Sequence, residues 1–246
     1  MDTELAPRPA TGRVVTRARP VRVSDTTVDG RLRLDAVARY FQDVSADDTS
    51  EVDLERKEHW VVRRLVVEVR SFPVLREQVE LSTWCGAIGS HYAERRVSVS
   101  GERGGSIEAA ALWVHIDVAT GRPRRLPDAF ASIYGEAAGG RRARARLELG
   151  DPPAGAGPAR PWPLRVTDLD VLGHVNNAAY WSPVEEVLAD RPDLAPPLRA
   201  VMEHRGALDR STRAEVLTEA GSEGVALWIV GDGEVCAAAH LGPLGA

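Results

Sequence analysis

One stretch, DLDVLGHVNNAAYWSPVEEVLAD, spanning Asp168 to Asp190, gathers the side chains best suited to chemistry. Two carboxylates, Asp168 and Asp170, are followed at short spacing by Gly173, His174, Asn176 and Asn177, and then by an apolar run at helical spacing. A carboxylate in such a place can activate water or attack an electrophile directly. Gly173 lets the backbone come close to a ligand. The amides Asn176 and Asn177 can cap the helix that follows, and exposed backbone N–H groups would face a substrate. The preceding LRVTDLD reads as a strand that delivers Asp168 and Asp170 to a sheet end.

The elements that must position these groups occur twice. A shift of 143 residues lays VRVSDTTVDGRLRLDAVARYFQDVSAD, from Val21, over LRVTDLDVLGHVNNAAYWSPVEEVLAD, from Leu164, without a gap. Arg22, Val23, Asp25, Val28, Gly30, Val44, Ala46 and Asp47 fall on Arg165, Val166, Asp168, Val171, Gly173, Val187, Ala189 and Asp190. A gapless match over a whole strand-turn-helix unit favours duplication. The polar chemistry is not duplicated: Thr27, Arg31, Arg33 and Leu34 stand where the second copy has Asp170, His174, Asn176 and Asn177. The first half is therefore expected to bind and the second to catalyse.

Around each copy the pattern is that of an α+β protein. In the first half, apolar residues at Leu34, Val37, Tyr40, Phe41 and Val44 predict an amphipathic helix. Four β-branched runs from Trp60 to about Gly121, punctuated by Pro73, Gly89 and an ERGG turn, predict an antiparallel meander. The second half repeats the order, with extended segments beginning near Leu198, Ser211, Gly224 and Gly233, and Pro183 is expected to bend its helix or restrict its first turns. The expected divisions are a mobile tail over 1–12, an N-terminal domain over 13–135, a linker over 136–160 and a C-terminal domain over 161–246. A long helix packed on a curved antiparallel sheet, made twice in one chain, is the plan of a tandem (double) hot-dog fold.

Composition narrows the function classes. With 43% hydrophobic and 27% charged residues in 246, the chain is an ordinary globular one, and its net charge of −5 gives no reason to expect nucleic acid. There is no bilayer-length apolar run, and the acidic start MDTELAPRPATG lacks the features of a signal peptide, which implies a cytoplasmic location. Cys85 and Cys236 lie far apart with no ligand spacing around them, so no metal and no cofactor is expected. The Trp residues 60, 84, 113, 181 and 228 are expected in the core, some of them lining an apolar tunnel.

The strings WVVRRLVVEVRSFP, VELSTWC and DLDVLGHVNNAAYWSPVEE resemble the acyl-ACP thioesterases, from about Val21 to the chain end. The resemblance implies hydrolysis of a fatty acyl thioester on acyl carrier protein, with Asp170 and His174 at the catalytic positions. It also implies an Asn and a Glu that this sequence lacks: Leu172 stands at the first position and Ala207 near the second. The string DLDVLGHVNN is similar as well to the hydroxybenzoyl-CoA-like thioesterases, in which a single Asp, here Asp170, does the chemistry. On that basis Asp170 is base or nucleophile, the amides from Gly173 to Val175 polarise the carbonyl, and His174 orients water or protonates the departing thiolate. Gly173, Asn176 and Asn177 would contact substrate, with Glu186 as a reserve base and Glu185 an ordinary helix carboxylate.

Acidic acyl carrier protein, or a coenzyme A thioester in its place, would be drawn to basic side chains. The candidates are Arg122, Arg124 and Arg125 and the run Arg141, Arg142, Arg144 and Arg146, the latter equally readable as a solvated linker. Exposed sheet edges would allow two chains to pair as a homodimer. A binding protein without hydrolysis is the alternative that Leu172 and Ala207 suggest.

Overall fold

β-Branched residues stiff at χ1 fit a pleated surface, and the runs that carry them form the strands of a computed structural model describing residues 5–52, 59–117, 119–222 and 224–245. In the first half these are β1 (Val14–Pro20), β2 (His59–Ser71), β3 (Gln78–Ile88), β4 (Tyr92–Gly101) and β5 (Ser106–Ile116), with helices α1 (Leu34–Ser50) and α2 (Asp128–Ala138). The second half has β6 (Arg160–Pro161), α3 (Ser182–Ala189), β7 (Leu198–His204), β8 (Ala214–Gly221), β9 (Gly224–Gly231) and β10 (Glu234–Pro243). Residues 1–4 of the expected tail lie outside the described residues. The rest of it approaches the fold: Arg8 donates to Ser82 Oγ at 3.2 Å, and Gly12 sits so close to the Ala137 backbone that a Cβ would fall 2.4 Å from its nitrogen.

All ten strands join one antiparallel sheet in the order β1-β3-β4-β5-β2-β7-β10-β9-β8-β6. Read inward from either edge, the halves share one plan. They meet where Arg64 to Val69 of β2 pair with Glu203 to Leu198 of β7, Glu68 lying opposite Arg199 and ion-paired with it.

Helix α1 buries Leu34, Val37, Tyr40, Phe41 and Val44, the predicted face, against this sheet. Its last turns carry Asp43, Asp47, Asp48 and Glu51, which oppose the helix dipole. Arginines of the β1 segment answer them: Arg19 meets Asp43, Arg17 meets Asp47 and Glu51, and Arg13 meets Asp48 and Glu51.

Two sequence expectations are corrected. LRVTDLD is no strand. Val166–Asp168 is a 3₁₀ turn, where Asp168 Oδ2 accepts the Arg165 amide and folds the chain back, and its counterpart Val23–Asp25 is another, closed by the Asp25 amide on Arg22 O. The second helix is also short. Ala179–Trp181 forms a 3₁₀ turn before α3 opens at Ser182 with Pro183 in its first turn, where the missing N–H costs nothing.

The connection from α2 to β6 straps the outer face of the β2–β7 joint. The carboxylate of Glu203, fully buried, accepts the amides of Glu148 and Leu149 at 2.8 and 3.0 Å, and Trp228 Nε1 donates to Gly150 O at 2.9 Å. Among the described residues, no helix is long and apolar enough to cross a membrane. Glu203→Ala removes the buried acceptor of two partly exposed amides, and at about 1 kcal/mol net for a typical hydrogen bond it should lower the urea midpoint by an amount equivalent to about 2 kcal/mol, with an unchanged m-value.

Candidate active site at the seam

The loop before each helix is built by the same bonds. The amide of Thr27 donates to Arg31 O and that of Gly30 to Thr27 O; 143 residues later, Asp170 donates to His174 O and Gly173 to Asp170 O. Leu32 bonds to Pro73 O as Val175 does to Leu208 O, and Arg33 to Asp25 O as Asn176 does to Asp168 O. Gly30 and Gly173 hold φ of +87° and +78°, the left-handed region that glycine reaches at little cost.

Within this frame Asp170 replaces Thr27. Its Oδ1 accepts the amides of Leu172 at 2.8 Å and His174 at 3.2 Å; among the described residues Oδ2 accepts nothing. The side chain is half-buried, and its charge helps to hold the phenol of Tyr180 deprotonation-resistant, chiefly a consequence of that ring's burial. His174 is exposed, and Leu172, standing where the resemblance expects Asn, is 74% exposed. Ala207 is exposed too.

The amides expected to face a carbonyl, those of Gly173, His174 and Val175, are all spent, the first two inside the loop on Asp170 O and Asp170 Oδ1 and the third on the distant Leu208 O. The reason is the tight turn itself, which closes by satisfying its own donors. Asn176 caps neither the 3₁₀ turn nor α3, whose N-cap positions fall at Ala178 and Trp181; its Oδ1 accepts the Ala178 amide at 2.8 Å and closes a local turn ahead of them. The next residue differs: neither the main-chain amide nor the side chain of Asn177 bonds to any described group, and Asn177 lines a narrow slot between α1 and the sheet. Glu186 faces solvent on α3.

This slot shares lining residues with two larger spaces. On one side an open groove of about 530 Å³ lies between the halves, bordered by Arg39 and Gln42 of α1 and by Leu169, Asn176 and Ala178. On the other, a cavity of about 270 Å³ is walled by Ser45 and Thr49 of α1 and by Trp60, Trp113, Phe130 and Tyr134. Gln42 borders groove, slot and cavity alike. Neither Asp170 nor His174 is among the lining residues of these three spaces.

Arg95 on the cavity wall is neutralised by buried Asp48, which also takes hydrogen bonds from Arg13 and, at 3.0 Å, Tyr134, while Glu94 borders the cavity as well. Cys85, also on its wall, is no nucleophile: burial pushes its thiol up to about 12.

At the slot, Trp113 Nε1 and His204 Nε2 are buried without a partner. His204 packs edge-on against Tyr180, with ring centroids 4.9 Å apart. Burial, with a smaller contribution from Arg63, pushes its pKa down to about 4, so the imidazole is neutral. Gln42 and His204 escaped the sequence reading. For Gln42 a signal existed, because the 143-residue shift lays it on Glu185.

Glu185 itself is more than a helix carboxylate. It crosses the seam to the first half, where it pairs bidentately with Arg31 and accepts the main-chain amide of Leu34. Leu34 is the residue that corresponds to Asn177. The same amide position is therefore occupied by a carboxylate in one half and left without a described partner in the other.

A helix on a curved antiparallel sheet, made twice and joined edge to edge, is a tandem hot-dog fold, here with a groove and a slot lined from both halves. Residues 12–134 match the acyl-ACP thioesterase N-terminal domain and residues 155–226 the C-terminal domain of the same enzymes. The chain belongs to the acyl-ACP thioesterase family and is a thioester hydrolase. An uncharacterized protein of Mycobacterium tuberculosis is 35% identical over 243 residues, covering 98% of this chain and 96% of its own. The fold is shared with a 12:0-ACP thioesterase from Umbellularia californica (TM-score 0.75, 23% identity, 95% of this chain and 98% of that one). An acyl-ACP thioesterase from Bacteroides thetaiotaomicron is similar as well (TM-score 0.75, 18% identity, 93% and 97%).

The folded protein resists protonation of His204, whereas the unfolded chain binds that proton at the ordinary histidine value of 6.5. Stability should therefore fall as pH drops from 6.5 towards 4, by about 3 kcal/mol at about 1.4 kcal/mol per pH unit. His204→Phe keeps the packing on Tyr180 and should flatten this part of a denaturation-versus-pH profile.

Proposed function

We propose that this protein hydrolyses fatty acyl-ACP, with the acyl chain in the first-half cavity, the thioester in the slot beside Asn177, and the carrier's prosthetic arm in the groove. The observation that carries this reading is the open amide of Asn177. Its counterpart at Leu34 binds a carboxylate oxygen, which supports this position as one that takes up negative charge on oxygen, the need of a tetrahedral intermediate.

Asp170, on the loop that leads into Asn177 but outside the lining of the three spaces, acts as the base on a thioester carbon held at the mouth of the slot. Two amides hold Oδ1, leaving Oδ2 to accept a proton from water while the hydroxyl oxygen bonds to the thioester carbon. The tetrahedral intermediate then collapses, the C–S bond breaks, and the proton returns to the departing thiolate from Asp170 or through His174 on the same loop. Products are the free fatty acid and the carrier thiol. The exposed arginines Arg122, Arg124 and Arg125, with Arg142, Arg144 and Arg146, are candidate attractors for an acidic carrier. Arg141 is already engaged with Gly86 O and Ala137 O.

The absent polar groups at Leu172 and Ala207 favour one second reading, a protein that binds acyl thioesters without hydrolysing them. A panel of acyl-ACP and acyl-CoA substrates at equal acyl length decides among carriers and between hydrolysis and binding. Free fatty acid should appear with acyl-ACP. Asp170→Asn should cut turnover by about 10²–10⁴-fold, the range for a general base, with little change in stability because the amide oxygen can still accept both backbone bonds. Wild-type turnover in that variant overturns the role of Asp170; tight binding without product selects the second reading.

The cavity assignment has its own test. Ala93 is buried on β4 at the cavity wall. Ala93→Phe should shift the preferred acyl length downward in the same panel, and an unchanged length profile would place the chain elsewhere.

A further inference from the structure

The two helices of the tandem repeat cross the seam in opposite directions, and what each carries to the other half can be compared residue by residue. From α3, Glu185 reaches the first half and fills the amide of Leu34, with Arg31 neutralising its charge. The 143-residue correspondence that relates the two loops bond for bond relates Glu185 to Gln42 and Leu34 to Asn177. Gln42 lies on α1, half-buried, makes no hydrogen bond to a described group and borders the slot together with Asn177.

We infer that Gln42 is the second hydrogen-bond donor to the thioester carbonyl, its Nε2 converging with the Asn177 amide on one oxygen. A carboxylate at this place can only accept, so Glu185 closes its own amide. A carboxamide carries a donor as well and stays neutral. It can therefore share the substrate oxygen with the neighbouring amide rather than take that amide for itself. The Arg31 that stabilises Glu185 has His174 as its counterpart, so the arginine that neutralises the anion in one half is not repeated in the other. Trp113 and His204 border the same slot, and Trp113 Nε1 and His204 Nε2 likewise make no hydrogen bond to a described group. On this view one half retained the cross-seam contact as a seal and the other turned it into a binding site.

The inference rests on the hydrolase reading of the slot, and the test separates the two. Removing one such donor typically costs 10²–10³-fold in kcat, so Gln42→Ala should lose about 10²–10³-fold in kcat with KM changed by less than about tenfold. Gln42→Glu, nearly isosteric, should lose more than Gln42→Ala, because its carboxylate would occupy the Asn177 amide as Glu185 occupies that of Leu34. A merely structural glutamine would give the reverse order, Gln42→Glu being the milder change.

The independent readout is the infrared stretch of a ¹³C-carbonyl acyl thioester bound to the Asp170→Asn protein. It should lie lower with Gln42 present than in the Asp170→Asn, Gln42→Ala double variant. Equal frequencies, or turnover undiminished by either Gln42 substitution, overturn the inference and leave the hydrolase reading standing. A wild type that binds the thioester but never turns it over overturns the hydrolase reading, and the carbonyl frequency still decides for Gln42. No binding at all overturns both.

Discussion

The antiparallel pairing of β2 with β7 is the contact on which the rest depends. Each half alone would end in an exposed strand edge, a row of unpaired backbone donors and acceptors. Pairing Arg64–Val69 with Leu198–Glu203 removes both edges at once and brings α1 alongside the second half's turn and α3. Only then do Gln42, Asn177, Trp113 and His204, drawn from both halves, border one slot. The strap over the joint, with Glu203 receiving two of its amides, closes the outer face where water would otherwise compete for those groups.

Duplication followed by divergence explains the division of labour in physical terms. Both loops keep the same backbone bonds and the same left-handed glycine, so the scaffold is common. Thr27 became, or remained, a local turn residue, while Asp170 presents a carboxylate. The first half's amide is sealed by a neutralised ion pair at Arg31–Glu185, and that half instead contributes the large apolar cavity between α1, α2 and the sheet. Space for an apolar chain and chemistry for a polar bond place opposite demands on the surroundings. A tandem repeat lets one chain meet both.

Membership in the acyl-ACP thioesterase family does not carry over every expected polar group. Leu172 and Ala207 are both exposed, so the polar groups the resemblance calls for would have stood on the loop surface and not inside the slot. Of the polar residues that border the slot, Asn177 belongs to that pattern, whereas Gln42, Trp113 and His204 lie beyond it.

Much of this was legible in the residues. The helical spacing of Leu34, Val37, Tyr40, Phe41 and Val44, the boundaries of β3 and β9, and the correspondence of Gly30 with Gly173 all follow from local rules of pattern and backbone conformation. What the chain by itself determined is the repeat, the tandem hot-dog plan and the loop that carries Asp170. The tertiary structure decided which amide is open and which carboxylate crosses the seam. Gly173, His174 and Val175 spend their donors on a turn whose closure depends on Leu208, more than thirty residues away. Glu185, not Glu186, turns inward because α3 meets Arg31 across the joint. Hydrogen-bond partners of that kind are set by long-range packing, and no window of sequence contains them.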